Sequence, residues 1–228
     1  MYFQRALRLD RSYLSAWTLM GHEYMELKNT SAAIQAYRRA VEVDERDYRA
    51  WYGLGQTYEM LKQPQYAFYY FKRAVALRPF DSRMWCALAN CYEMSNELGN
   101  AIASYQRALS GSQESEHIAI VRLGKLYSQV GKPDTAAYYY KMFYDRAQSE
   151  ELDPEEVSNA ALFLASYYQE RGRIDQVEKY LKEVIDLQSS RQEEAKAMLR
   201  AIASSSRASA MGTGNSVGAR PANRMQMS

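Results

Sequence analysis

The sequence of 228 residues predicts an all-α protein, a right-handed α-solenoid of stacked helical hairpins. Trp17, Trp51 and Trp85 recur at equal intervals, and a Leu or Met, a Gly or Ala and a Tyr follow each of them at offsets of three, four and seven. These offsets fall on one face of a helix, and the small residue lets a partner helix approach closely. A fixed period of roughly 20 to 50 residues indicates hairpins that bury their apolar faces only by stacking on one another.

A second block of small and aromatic residues follows each tryptophan block. In the first repeat it contains Ala33, Tyr37 and Ala40, and the same spacing recurs in the next two repeats. Turn-forming Asn, Pro and Gly residues separate the two blocks of each repeat. The period and the residue types identify the tetratricopeptide repeat (TPR), a pair of packed helices. A fourth and a weaker fifth copy follow with wider spacing.

The repeat pattern divides the whole chain into predicted segments. They are the second helix of an incomplete repeat at 1–13, TPR hairpins at 14–47, 48–81, 82–115, 117–150 and, divergent, 154–190, a capping helix at 191–203 and a disordered tail at 204–228. The tail is predicted to be disordered because it is rich in Ser, Ala, Gly and Arg and has no aromatic residue. Asp153 and Pro154 should form the N-cap and first turn of the fifth hairpin. Because 1–13 matches only half a repeat, we expect the C-terminal part of a longer array or a truncated gene model.

The composition argues against several classes of protein. The 29 basic and 27 acidic residues leave no basic field of the kind that binds nucleic acid. No apolar run approaches the roughly 18 residues of a membrane span. Two cysteines are too few for a disulfide framework or a four-ligand zinc site, which indicates a reducing compartment. We therefore expect neither a nucleic-acid nor a membrane partner.

The sequence predicts no catalytic site, no metal site and no cofactor. It contains only two histidines and no glycine-rich phosphate loop. Cys86 and Cys91 are five residues apart, about 140° around one helix, so they do not converge on a metal ion. The aromatic runs 68–71 and 138–140 are interpreted as core packed on both faces of a second helix rather than as a ligand cage. The protein is therefore not expected to be an enzyme.

The first-helix offsets that packing does not use should face a peptide-binding groove. The residues expected there are Thr18, His22, Met25, Glu26, Tyr52, Gln56, Glu59, Cys86, Asn90, Glu93, Arg122 and Lys125. The residues expected to hold the hairpins together are Trp17, Gly21, Trp51, Gly55, Trp85 and Ala89. Among these groove residues, the acids and amides belong to the first three repeats and the bases to the fourth. A peptide arginine would suit Glu59 and Glu93, because charge-assisted contacts are the stronger kind. The alternative is that these side chains are only solvated.

Some residues go beyond what the repeat requires, notably 29–31 (Asn-Thr-Ser) and 46–48 (Arg-Asp-Tyr). With them, the stretch from Phe3 to Tyr92 resembles the subunit-eight family of the anaphase-promoting complex, a multisubunit ubiquitin ligase. The later repeats match only as TPRs. The resemblance implies a non-catalytic scaffold that acts in cell-cycle control, in the nucleus, with the cytoplasm as a second location.

The resemblance also implies partners. In that family the groove receives the C-box, a short basic motif in the N-terminal tail of a coactivator, which here implicates the groove that carries Glu26, Gln56, Glu59, Asn90 and Glu93. Other subunits of the complex, including small extended subunits and neighbouring TPR subunits, are the remaining expected partners. The alternative is a TPR adaptor for another assembly, such as a chaperone or transport cofactor.

Overall fold

The computed structural model describes residues 2–111, 116–150, 152–187 and 189–212. Within these ranges the secondary structure is helical and contains no strand, which confirms the all-α prediction. The helices described there are α1 (Tyr2–Leu9), α2 (Leu14–Glu26), α3 (Thr30–Val43), α4 (Tyr48–Met60), α5 (Pro64–Leu77), α6 (Ser82–Met94), α7 (Leu98–Leu109), α8 (Glu116–Gln129), α9 (Pro133–Ala147), α10 (Pro154–Glu170), α11 (Ile174–Asp186) and α12 (Gln192–Gly212). None of these helices is both long and apolar enough to cross a bilayer.

The helices belong to two compact units, Met1–Met142 and Phe143–Ser228, which divide inside α9. In the first unit α2 packs on α3, α4 on α5, and α6 on α7, so each forms a hairpin. Successive hairpins contact each other through α3 and α4, α5 and α6, and α7 and α8. In the second unit α10 packs on α11, and α11 packs on α12.

The turn inside each hairpin uses one backbone motif. After α2, Lys28 has a φ of 55°, and its N–H donates to the Met25 carbonyl at 2.9 Å. The next N–H, that of Asn29, donates to the Tyr24 carbonyl at 2.8 Å. These two bonds around a left-handed residue form a Schellman motif, which satisfies the last carbonyls of the helix. The residues at the equivalent left-handed position after α4, α6, α8 and α10 are Lys62, Asn96, Gly131 and Gly172.

Side-chain caps fix where several helices begin. Asp47, Asp81 and Asp153 each accept a hydrogen bond at 3.1 Å from the backbone N–H two residues later, at the starts of α4, α6 and α10. Pro154 occupies the first turn of α10, so the predicted N-cap and first-turn pair is confirmed. Asn29 caps α3 in a similar way: its side-chain oxygen accepts from the N–H of Ala32, three residues later, at 3.2 Å. Each carboxylate or amide satisfies a donor that the helix itself leaves unpaired.

One large aromatic residue fills the centre of each hairpin in the first unit. Tyr37, Phe71 and Tyr105, which occupy the same position in successive repeats, are at most 2% exposed. At Tyr37 the neighbouring helices come so close to the ring that a side chain larger than hydrogen does not fit. A Cβ added to Gly21 would lie 2.5 Å from the Tyr37 ring, and one added to Gly53 would lie 2.4 Å from it. The ring is thus held between glycines of two successive hairpins.

The other residues predicted to be structural also lie at helix contacts. Trp51 is 8% exposed, whereas Trp17 and Trp85 are half-buried. Each indole N–H donates to the backbone carbonyl six residues earlier, at 2.7 or 2.8 Å, and so ties the preceding loop to the helix. A Cβ on Gly55 would lie 2.4 Å from the buried ring of α5, and Ala89 is fully buried.

The sequence interpretation placed the aromatic runs in the core, packed on both faces of their helices. The structure instead exposes some of these rings to solvent. In the run 68–71 only Phe71 is fully buried, and Tyr69 is 52% exposed. In the run 138–140 Tyr138 is 61% exposed. Successive residues of an α-helix point about 100° apart, so adjacent rings cannot all reach one core face.

The capping helix is longer than predicted. Helix α12 continues past residue 203 to Gly212, so the prediction of disorder is wrong for residues 204–212. Ala, Arg and Met in this stretch are good helix formers, and serine is only mildly unfavourable inside a helix. The rest of the predicted tail, residues 213–228, lies outside the described residues.

The second unit has its own aromatic contacts. The ring of Tyr180 stacks on that of Tyr168, with centroids 5.8 Å apart, and meets the ring of Tyr144 edge-on at 5.0 Å. Burial raises the pKa of Tyr180 to about 12, so its hydroxyl stays protonated at neutral pH. Leu164 and Leu181 are fully buried on α10 and α11. This packing joins the end of α9 to α10 and α11.

Candidate peptide-binding groove

Three connected hollows follow the first helices of the hairpins in the first unit. The first hollow, about 280 Å³, is lined by His22, Met25, Glu26, Lys28, Tyr37, Gln56 and Met60. The second hollow, about 260 Å³, is lined by His22, Tyr48, Arg49, Tyr52, Gln56, Arg83 and Met84. The third hollow, about 420 Å³, is lined by Tyr52, Glu59, Arg83, Cys86, Ala87, Asn90, Tyr105, Ile118 and Arg122. Neighbouring hollows share lining residues, so together they form one elongated groove.

Most residues predicted for the groove line it, and three do not. Those that line it are His22, Met25, Glu26, Tyr52, Gln56, Glu59, Cys86, Asn90 and Arg122. Lys125 is exposed on α8 but is not part of the lining of the three hollows. Thr18 is only 3% exposed, and its hydroxyl donates to Asp47 Oδ2 at 2.7 Å, so it joins α2 to the capping residue of α4. Glu93, the third residue, lies behind the third hollow.

Glu59 and Asn90 form the best-defined polar pair in the groove. Asn90 Nδ2 donates to Glu59 Oε1 at 2.6 Å, and both residues are half-buried. Because Glu59 is on α4 and Asn90 on α6, the bond fixes the carboxylate against the next hairpin. The pair places a negative charge in the wall of the third hollow, where it can receive a cation.

Glu93 is already neutralised within the protein. The Tyr105 hydroxyl donates to Glu93 Oε2 at 3.0 Å, and Arg122 Nη1 lies 3.6 Å from Glu93 Oε1. The Glu93 side chain is 15% exposed. Burial, and after it the Glu93 charge, raises the pKa of Tyr105, so the hydroxyl remains a donor. Glu93 therefore positions Tyr105 and Arg122, and these two residues face the hollow in its place.

His22 connects the first and second hollows. Its Nδ1 lies 2.9 Å from the Tyr37 hydroxyl, in hydrogen-bond contact, and the two rings meet edge-on with centroids 5.4 Å apart. Desolvation lowers the pKa of His22, partly offset by the Asp47 charge, and Arg49 lowers it further. Burial raises the pKa of Tyr37. A neutral imidazole therefore borders the groove at neutral pH.

Two arginines of the second hollow were not predicted as groove residues. Arg49 and Arg83 occupy the same position at the start of α4 and α6, and their side chains are 53% and 52% exposed. Each forms an ion pair at 3.1 Å with the aspartate that caps its own helix, Asp47 or Asp81. The signal in the sequence is an Asp-X-Arg triplet that recurs at the same position in two successive repeats. Positive charge is therefore present in the early repeats, contrary to the expectation of acids first and bases later.

Nothing in the described part of the chain resembles a metal centre. The His, Cys, Asp and Glu side chains there do not form a group of three or more that could hold a metal ion. Cys86 lines the third hollow, and burial raises the pKa of its thiol to about 11. The thiol is therefore protonated at neutral pH and is a weak nucleophile.

Comparison with known proteins agrees with this architecture. The tetratricopeptide repeat family model matches residues 18–82 and 69–116. The solved structure of YrrB, described as a TPR protein with an unusual peptide-binding site, superposes with a TM-score of 0.68 at 18% identity, over 87% of this chain and 98% of that one. The APC/C hetero-tetramer Cut9–Hcn1 gives a TM-score of 0.59 at 17% identity, over 85% of this chain and 37% of that one. The match and the superpositions show that residues 18–116 consist of tetratricopeptide repeats and that the chain has the fold of TPR structures.

Two curated proteins narrow the relationship within the TPR proteins. Anaphase-promoting complex subunit 8 of Dictyostelium discoideum is 56% identical over 92% of this chain. The protein of the same name from Arabidopsis thaliana is 54% identical over 89% of it. The predicted resemblance to the subunit-eight family is thereby confirmed, and this TPR chain is homologous to subunit 8. It spans 35% of the length of each of these relatives.

Proposed function

We propose that this chain is part of a non-catalytic scaffold subunit of the anaphase-promoting complex, acting in cell-cycle control in the nucleus. Its groove binds the C-box segment of a coactivator tail, and its other surfaces contact neighbouring subunits. The observation that carries the proposal is the identity of 54% to 56% with two subunit 8 proteins over about nine-tenths of the chain. Identity at this level extends well beyond the residues that TPR packing alone requires.

The dimensions of the groove suit an extended peptide. Neighbouring packed helices lie about 9 Å apart, so the distance from α2 past α4 and α6 to α8 is roughly 27 Å. An extended chain advances about 3.3 Å per residue, so the groove accommodates about eight residues. Tyr52 offers an aromatic surface between the second and third hollows, and Gln56 offers amide groups between the first and second.

Two carboxylates in the groove are suited to bind a basic motif. Glu59 lines the third hollow and Glu26 lines the first, and either carboxylate can pair with a peptide arginine or lysine. Glu59 is the better anchor, because Asn90 holds its carboxylate in place and the side chain is half-buried. Charge-assisted hydrogen bonds in a partly buried site are stronger than those in open solvent.

The outer faces of the second helices offer a surface for other subunits. Tyr66 and Tyr69 on α5 are 58% and 52% exposed, and the Arg73 guanidinium lies 5.3 Å from the centre of the Trp51 ring beside them. Tyrosine and arginine are among the residues that most often anchor protein interfaces. This surface is on second helices, separate from the first helices that line the groove.

Affinity purification of the full tagged chain from dividing cells tests the proposal. Recovery of the cullin-like subunit and the other TPR subunits of the ligase is the expected result. Recovery of chaperones or transport factors without any ligase subunit would instead identify an adaptor of another assembly. A parallel purification with Gly53→Ala, which disrupts the packing of α4 on α3, should lose the ligase subunits if assembly requires the stacked hairpins.

A further inference from the structure

The second helices of the first unit carry an excess of positive charge. In α1, α3, α5 and α7 every charged residue is an arginine or a lysine except Glu42 on α3. In α2, α4 and α6, the first helices of the hairpins, acidic residues instead outnumber basic ones. The positive charge therefore belongs to the second helices and is not a property of the whole chain, which has 29 basic and 27 acidic residues.

One arginine recurs at the same position of these helices, at the interval that separates the three tryptophans. The four members of this arginine row are Arg5 on α1, Arg39 on α3, Arg73 on α5 and Arg107 on α7, and all four are exposed. The Arg73 guanidinium lies 5.3 Å from the centre of the Trp51 ring, and the Arg107 guanidinium lies 5.7 Å from the centre of the Trp85 ring. A guanidinium that lies over a ring face keeps the N–H groups at its edge available as donors.

Two members of the row have no carboxylate partner. Among the ion pairs of the described residues, Arg39 pairs with Glu42 at 2.6 Å, whereas Arg73 and Arg107 have no such pair. The sequence explains the difference, because the positions equivalent to Glu42 in the next two repeats hold Ala76 and Ser110. The charges of Arg73 and Arg107 can therefore be neutralised by a partner.

Two hollows accompany the row at equivalent places in successive hairpins. The Trp17 hollow, about 580 Å³, contains Leu7, Met20 and Val43 in its apolar lining, and the Trp51 hollow, about 230 Å³, contains Ala76 and Leu77. The charged residues described in the two linings are Arg8, Arg11, Arg39 and Glu42 in the Trp17 hollow and Glu45, Arg46 and Arg73 in the Trp51 hollow. Each hollow thus combines an apolar floor with more basic than acidic residues.

An acidic polypeptide segment with interspersed apolar side chains matches both properties. Its carboxylates can accept charge-assisted hydrogen bonds from the arginine row. Its apolar side chains can enter the hollows, where they remove apolar surface from water. A nucleic acid matches less well, because it has no aliphatic side chains and because Glu42 and Glu45 beside the hollows repel a continuous phosphate backbone.

We infer that the arginine row binds an acidic segment of a partner protein. Carboxylates of the segment lie against Arg73 and Arg107, and one of its apolar side chains occupies the Trp51 hollow. The inference rests on the proposed scaffold role for the premise that this surface meets another protein. It adds the chemistry of that partner and the residues that recognise it.

The test uses the full chain and an array of labelled 16-residue peptides, with binding measured by fluorescence anisotropy. Each peptide carries four Asp or Glu and two Leu or Phe, and the apolar pair is separated by one to six positions. Control peptides carry Asn and Gln, or Lys, in place of the acids. The best acidic peptide should bind at least about tenfold more tightly than its neutral version and should lose affinity as salt is raised. No binding, equal binding of acidic and neutral peptides, or tighter binding of an oligonucleotide of equal charge would overturn the inference.

Paired substitutions test the assignment to the arginine row. Arg73→Gln with Arg107→Gln should weaken the best acidic peptide about tenfold, because two charge-assisted contacts are lost. Arg191→Gln with Lys196→Gln is the matched control, since it removes the same number of positive charges from the second unit, and it should leave affinity unchanged. Arg73→Glu with Arg107→Glu should reverse the preference, so that the Lys peptide binds better than the acidic one. Equal losses in the two glutamine pairs, or a folded charge-reversed protein without reversed preference, would contradict the assignment.

Two further measurements separate this inference from the proposed function. Glu59→Gln should not affect the acidic peptide, because Glu59 lines the third hollow of the groove and not the arginine row. If acidic peptides bind the row but the tagged chain recovers no ligase subunit from cells, the proposed function fails and the inference stands. If ligase subunits are recovered but no acidic peptide binds, the inference fails and the proposed function stands.

Discussion

The Arg122 guanidinium lies 3.6 Å from the Glu93 carboxylate, so an ion pair joins α8 to α6 behind the groove. Glu59, by contrast, accepts a hydrogen bond from the amide of Asn90. Because that amide is neutral, the bond does not cancel the negative charge of Glu59. Two glutamates at the same position of successive repeats, which the sequence analysis treated as equivalent, therefore have different roles. Glu93 positions other side chains, and Glu59 is available as an anchor for a cation.

Replacing Glu59 with glutamine should weaken coactivator-tail binding at least about tenfold. The expected loss is that of a charge-assisted hydrogen bond, about 1.5 to 3 kcal/mol. Glutamine keeps an oxygen that can accept the hydrogen bond from Asn90, so the thermal midpoint should stay within a degree or two of wild type. Fluorescence anisotropy with a labelled tail peptide measures the affinity, and circular dichroism measures the midpoint.

Two further variants control this experiment. Glu42→Gln removes an exposed carboxylate on α3 and should leave the affinity unchanged. Glu93→Gln should reduce stability more than affinity, because it leaves Arg122 and the Tyr105 hydroxyl with a neutral partner. A Glu59→Gln variant that binds the tail as tightly as wild type would remove Glu59 from the site.

Gly53→Ala should destabilise the first unit by about 1 to 3 kcal/mol, the usual cost of overpacking a core. The added methyl group would lie 2.4 Å from the buried Tyr37 ring, which has no space to move away. Gly99→Ala is the matched control, since nothing lies within 4 Å of a Cβ added there on α7. That change should stabilise the protein by about 0.5 to 1 kcal/mol, because alanine loses less entropy in a helix. Urea unfolding followed by circular dichroism should show midpoints that move in opposite directions.

Much of the fold could be predicted because TPR packing is governed by local sterics. A small residue is needed where a helix meets a buried ring, and this requirement produces the pattern of Trp, Gly or Ala, and Tyr in the sequence. Gly55 and Ala89 occupy this position in successive repeats, and both lie at helix contacts with little or no exposed area. The end of α12 could not be predicted in this way, because its later residues do not follow the repeat pattern.

The polar contacts of the groove were harder to predict, because they join residues far apart in the sequence. Thr18 has the offset of a groove residue, but it is buried where its hydroxyl donates to Asp47, the residue that caps the first helix of the next hairpin. The pairing of Glu93 with Arg122 likewise crosses from one hairpin to the next. The position of Arg83 was accessible in principle, since the Asp-X-Arg triplet recurs with the period of the repeat. What the triplet cannot reveal alone is that its arginine faces a hollow.

Lys62→Gly should stabilise the protein by about 1 kcal/mol, because Lys62 has a φ of 58° in the Schellman motif that ends α4. That conformation costs an L-residue about 1 to 2 kcal/mol and glycine almost nothing. The gain is partly offset by the larger entropy of glycine in the unfolded chain. Gly131→Ala is the reverse experiment, at a φ of 71° with no atom within 4 Å of the added Cβ, and should destabilise by a similar amount. A loss of stability in Lys62→Gly, measured by urea unfolding, would contradict the strain argument.

The contribution of His22 to stability should depend on pH. Because desolvation lowers the pKa of His22 in the folded chain, folding favours the neutral imidazole. Its stabilisation is fully present above the unfolded pKa of about 6.5 and decreases as the pH falls through 6.5 towards the folded pKa. The thermal midpoint of wild type should therefore drop more between pH 7.5 and pH 5.5 than that of His22→Gln. The same protonation would place a positive charge beside Arg49, which also lines the second hollow, so tail affinity should change with it. Parallel midpoints of the two proteins over this range would show that the imidazole is not desolvated against Tyr37.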